Sequence, residues 1–148
     1  MKKLIMTATI FVMTMTSNVL ADIKMGIILG FTGPIESLTP AMAASAELAF
    51  KEASDSGSLL GGEKISIERA DSTCVDSAAA TTAAEGLVSG GVVAIMGADC
   101  SGVTGAIATN VAVPNGVVMI SPSATSPGLT DLNAVSYTHL TLPTIVSV

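Results

Sequence analysis

Cys74, Cys100 and the serine that follows the second cysteine, Ser101, are the residues of this 148-residue chain best equipped for chemistry. A thiolate beside a histidine or a cation is a nucleophile, a set of thiolate and imidazole ligands holds zinc, and two thiols in an oxidising compartment join as a disulfide. Cys100 follows Asp99, and the one histidine, His139, lies far away in a stretch of different composition. A disulfide is therefore the natural reading of the two cysteines. A catalytic thiol is its rival, and metal binding by two cysteines alone is weaker than either.

Ser101 stands where a helix is expected to begin. It is either an ordinary N-cap or part of a positive helix end whose N–H groups hold a carboxylate. Ser121, Ser123, Thr125 and Ser126 place four hydroxyls within six residues, which reads as a hydrated turn or, together with Ser101, as the lining of a small polar site. Gly26, Gly30 and Gly33 do not form G-x-G-x-x-G, and no G-x-x-x-x-G-K-[ST] occurs, so they are read as glycines of a tight strand-to-helix turn. No catalytic residue, metal ligand or cofactor is expected.

The elements that must position these residues alternate. Ile23–Leu29 reads as a strand buried on both faces, 40–53 as an amphipathic helix, and 64–70 as a half-exposed strand. An alanine-rich helix capped by Asp76 or Ser77 follows towards Val88, then a buried strand over 92–96, a helix over 103–111 and a strand over 117–120. Four strands and three helices in alternation predict an α/β fold, a parallel sheet with helices on both faces. Ligands of such sheets sit beyond the carboxyl ends of the strands, where the unusual loops after each strand fall.

Composition narrows the function. Six basic residues against twelve acidic ones argue against nucleic acid or an anionic membrane surface as a partner. Aromatic residues make up 3% of the chain, too few for a stacking platform. At the N-terminus, Lys2 and Lys3 precede an uncharged run from Leu4 to Leu20, and Val19-Leu20-Ala21 suits a cleavage site. Residues 1–21 are expected to be a secretory signal peptide and 22–134 a folded lobe. From about Val135 the acidic residues and the Ala/Gly richness stop. That string resembles translated adapter read-through, so 135–148 is expected to be a non-native tail and His139 is not recruited to any site.

Five collinear segments carry a family resemblance: Ile-Leu-Gly-Phe-Thr-Gly-Pro (28–34), Ala-Glu-Leu-Ala-Phe-Lys-Glu (46–52), Ala-Asp-Ser-Thr-Cys (70–74), Gly-Ala-Asp-Cys-Ser-Gly-Val-Thr (97–104) and Met-Ile-Ser-Pro-Ser-Ala-Thr-Ser-Pro-Gly-Leu-Thr (119–130). Over about 23–133 the chain resembles the N-terminal lobe of type I periplasmic binding proteins, in particular the substrate-binding proteins of branched-chain amino-acid (Leu/Ile/Val) ABC transporters. The resemblance implies an incomplete first lobe of a two-lobed, exported binder that is monomeric when full length, captures an amino acid and delivers it to a membrane permease. It implies a Cys74–Cys100 disulfide. It also implies that Ser101 and Thr125, with the main chain of Ser123 and Ala124, grip the ligand's carboxylate and ammonium, while Phe31 and Leu38 flank its side chain. Asp99 stands where many relatives carry an uncharged residue, as a loop cap or a carboxylate beside the pocket. The alternatives are a ligand-sensing regulatory protein of the same fold and an α/β enzyme.

Overall fold

The computed structural model describes residues 22–59, 62–130 and 132. The expected signal peptide and the expected tail with His139 lie outside the described residues. Strand β1 (Ile23–Leu29) is central. It pairs in parallel with β2 (Ile65–Asp71) on one side and β3 (Ala94–Gly97) on the other, and β3 pairs with β4 (Val118–Ile120), giving the order β2-β1-β3-β4. This is the parallel α/β sheet that the sequence predicts.

Alternation along β1 divides the core in two. Ile27 and Leu29 pack with Ala43, Met42, Ala46 and Phe50 of helix α1 (Thr39–Asp55). Ile28 points the other way, among Ala80, Ala84 and Leu87 of α2 (Ser77–Ser89) and Val103 and Ile107 of α3 (Ser101–Ile107). All three β1 residues are fully buried, as a strand covered on both faces requires. The small side chains of α1 and α2 let the helices approach the sheet closely. Gly26 belongs to this packing and not to a turn: it lies within β1, and a Cβ there would meet Leu87 and Val92 at 3.1 Å. Of the three glycines read as turn residues, Gly33 has the positive φ, +97°, and a Cβ on it would come within 2.5 Å of the Thr73 carbonyl oxygen.

The third helix is longer than predicted. After α3 the backbone widens into a π turn over Ala108–Ala112 and closes as the short α4 (Val113–Asn115), ended by Gly116 at φ +65°. Pro114 suggests an earlier stop, because a proline ring meets the carbonyl four residues back. The wider turn lies just ahead of it, where that carbonyl would otherwise stand. β4 is covered on one face only: Met119 packs into the α2/α3 core, whereas Val118 and Ile120 are exposed.

Candidate functional site

The carboxyl ends of the four strands converge on one edge, and a continuous set of hydrogen bonds joins their exit loops. After β1, the Gly30 N–H donates to Asp99 Oδ2 at 2.7 Å, and the Gly30 carbonyl accepts from the buried Thr39 hydroxyl at 3.2 Å, which fixes the start of α1 to the loop. At the end of β2, Asp71 ties its own exit loop to the one after β1: Oδ1 accepts from Thr73 N at 2.8 Å and from Thr32 N at 3.3 Å, and Oδ2 from the Thr32 hydroxyl at 2.5 Å. This is the turn chemistry of an aspartate that binds a main-chain amide two residues on. Partial burial pushes the Asp71 carboxyl upwards, but the Thr32 hydroxyl and the amides of Thr73, Thr32 and Phe31 outweigh it and hold the group below the ordinary aspartate value.

Thr73 and Cys74 both have positive φ, 55° and 69°, a conformation that side chains disfavour. Cys74 is disulfide-bonded to Cys100, with Cα atoms 5.2 Å apart, so the exit of β2 is covalently tied to the start of α3. The rival readings of these cysteines, a catalytic thiol or a metal ligand, lapse with the thiols engaged in this bond.

At the exit of β3, Asp99 is 3% exposed, and its side chain accepts from Gly30 N, from the Ser72 hydroxyl at 3.3 Å and from Cys100 N at 2.9 Å. It is a capped, inward-facing carboxylate and not one that opens into a pocket. The loop after β4 folds onto the same place. The Ser121 hydroxyl donates to the Ala98 carbonyl while its oxygen accepts from Ala124 N at 2.9 Å, and the Ser123 hydroxyl donates to the Asp99 carbonyl at 2.8 Å.

Ser101 is the meeting point of this edge. It is not an N-cap: that position belongs to Cys100, and Ser101 is the first residue of α3. Its Oγ accepts from Thr125 N and from Ser126 N, each at 3.1 Å. A serine hydroxyl has two acceptor sites and one proton. With both acceptor sites occupied, the proton remains as the one polar function the hydroxyl can offer, and a hydroxyl proton is the kind of donor an anionic oxygen accepts from.

The structure thus brings together Ser101, Ser123, Ala124 and Thr125. Phe31 and Leu38 belong to the segment between β1 and α1. The Phe31 ring packs against the Ile27/Leu29 core with the Arg69 guanidinium 5.6 Å from its centroid, and Arg69 is itself bonded to Glu47. Leu38 is 56% exposed immediately before α1. Ser72, Thr32 and the linking role of Ser121 are additions that only the structure makes visible. Asp71-Ser72-Thr73 after a strand carries a turn signal, but the partners of Ser72 and Ser121 lie 27 and 23 residues away.

The sequence profile of the family described as "Periplasmic binding protein" matches residues 22–145. The Leu/Ile/Val-binding protein BraC3 of Rhizobium johnstonii is 34% identical over 110 residues, 74% of this chain and 29% of that protein. Among solved structures, the branched-chain amino acid transporter substrate-binding protein LivJ of Streptococcus pneumoniae, in complex with isoleucine, is similar with a TM-score of 0.67 and 33% identity, covering 74% of this chain and 31% of that one. An ABC transporter substrate-binding protein of Desulfitobacterium hafniense, in complex with Leu, has a TM-score of 0.67 and 28% identity over 78% of this chain and 33% of its own. The chain therefore spans about a third or less of the length of these relatives.

Proposed function

The chain belongs to the periplasmic binding protein family, and from that premise we propose that it is part of the substrate-binding component of an ABC transporter that captures a branched-chain or related amino acid. The observation that carries this reading is the Ser101 hydroxyl, whose oxygen is occupied by the Thr125 and Ser126 amides and whose proton is left for a carboxylate. Names and ligands of the relatives support the same ligand class. In this reading Ser101 and Thr125 donate to the α-carboxylate, the main chain of Ser123 and Ala124 serves the polar end of the ligand, and Phe31 and Leu38 flank its side chain. None of these residues acts as a catalyst.

Residues 22–134 form one wall of the site. The opposite wall belongs to the length of the relatives that this chain does not span, and closure of one on the other completes the grip. The protein acts outside the cytoplasm, as a monomer when whole, and hands its ligand to a membrane permease. A signal peptide cleaved after Ala21 fits the family match, which begins at Asp22; the same match runs to Ile145 and so does not support the reading of 135–148 as a non-native tail.

Titrating the isotopically labelled chain with L-leucine and L-isoleucine by nuclear magnetic resonance tests the assignment. Saturable shifts are expected at the amides of Ser101 and 123–126, with a millimolar dissociation constant, about 4 kcal/mol of binding free energy, since one wall alone is engaged. D-leucine should be weaker. An absence of saturable shifts at those amides would refute the reading.

A further inference from the structure

We infer that Asp99, which in this reading touches no ligand, is the positioning residue of the binding edge; the inference rests on the proposed amino-acid site. Among the described residues, its carboxylate is the one group that bonds to the exit loops of three strands at once: Gly30 N after β1, the Ser72 hydroxyl after β2, and Cys100 N after β3. Its own carbonyl receives the Ser123 hydroxyl from the fourth loop. Two residues further on, Ser101 carries the Thr125 and Ser126 amides.

All three partners of the carboxylate are donors, and two of them are main-chain N–H groups, which cannot turn round to accept. An acceptor-only side chain is therefore required, and it sits at 3% exposure, where water cannot replace it. The exit of β2 has a second tie to this place, the Cys74–Cys100 disulfide. Gly30, beyond the end of the β1 ladder, has only Asp99 to hold its N–H. Loss of the carboxylate should therefore leave sheet and disulfide in place while releasing the edge.

Asp99→Asn is the direct test. The amide matches the shape of the carboxylate but offers one oxygen, so it must turn an N–H₂ towards either Gly30 N or Cys100 N. Hydrogen exchange of the ligand-free chain gives the first readout. Amides of Gly30 and of Ser123 to Ser126 should exchange about tenfold faster, while those inside β1 and α2 keep their protection. Unchanged exchange at 123–126 would overturn the proposal, whether or not the chain binds leucine.

The second readout is the leucine titration, in which affinity should fall about tenfold. Wild-type affinity in a folded Asp99→Asn variant would also overturn it. A wild-type chain that ignores leucine would defeat the ligand assignment alone, leaving the exchange measurement to decide the positioning role. Should Asp99→Asn fail to fold, Ser72→Ala removes one of the three donors and is expected to speed exchange at 123–126 to a smaller extent; no change there would count against Asp99.

Discussion

Ser101 separates the two things a hydroxyl does. Its oxygen orders the loop after β4 by accepting two amides, and its proton takes part in neither bond. In Ser101→Ala the two amides can turn to water, because this loop is exposed, so stability should change by no more than about 1 kcal/mol. Leucine affinity should fall about tenfold or more, the worth of a hydrogen bond to a charged group. Thermal unfolding and the resonance titration, run on the same variant, read the two effects apart, and Ser101→Thr should restore part of the binding.

Asp71 makes a prediction in pH. Its folded carboxyl is held below the ordinary aspartate value, so its stabilising contribution is fully present above the unfolded value and is lost as pH falls through the folded one. Urea unfolding followed from neutral to acid pH should show stability declining across that window. The decline should be shallower in Asp71→Asn, and equal slopes would remove Asp71 from the account.

At the scale of elements, the Cys74–Cys100 disulfide ties the exit of β2 to the start of α3. It closes a loop of sequence separation 26, and constraining the unfolded chain to that extent contributes about 3.5 kcal/mol in the chain-entropy account. Reduction should lower the urea midpoint accordingly, and the double variant Cys74→Ser/Cys100→Ser should match the reduced protein. A midpoint insensitive to reductant would contradict this.

The elements were also the most legible part of the sequence, and the reason is periodicity. β1 occupies the predicted Ile23–Leu29, and α2 starts after Asp76, whose side chain accepts from Ala78 N and Ala79 N, because apolar runs and caps are local signals. The third helix begins at Ser101, where a helix start is expected, but its cap and its far end differ from the sequence reading. Cys100, which does not look like a cap, precedes its first turn, and Pro114 is accommodated behind a π turn that no local pattern announces. The site was legible as a list and not as a geometry. Ser101 and Thr125 stand out by type, but that the amides of Thr125 and Ser126 fill both acceptor sites of Ser101 depends on a contact across 24 and 25 residues. Phe31 was legible as a ring near the edge, whereas the Arg69 guanidinium above it arrives from β2.

For the molecule as a whole, the sheet's two flanks are unequal. β2 sits beside β1 along seven residues, whereas β4 pairs with β3 over three. Among the described residues β4 has a neighbour on one side only, and it leaves Val118 and Ile120 45% and 52% exposed. An edge with unpaired main-chain groups and apolar side chains is a template on which another strand can add. What opposes this is charge: a formal net of −6 keeps copies of the chain apart. Salt shortens the reach of that repulsion to about 10 Å at 0.1 M and about 3 Å at 1 M. The chain's colloidal behaviour should therefore depend on ionic strength, with self-association by light scattering rising as salt is added and Ile120→Lys suppressing it. The same short strand that carries the serine loop to its place would then set how concentrated a solution of this chain can be kept.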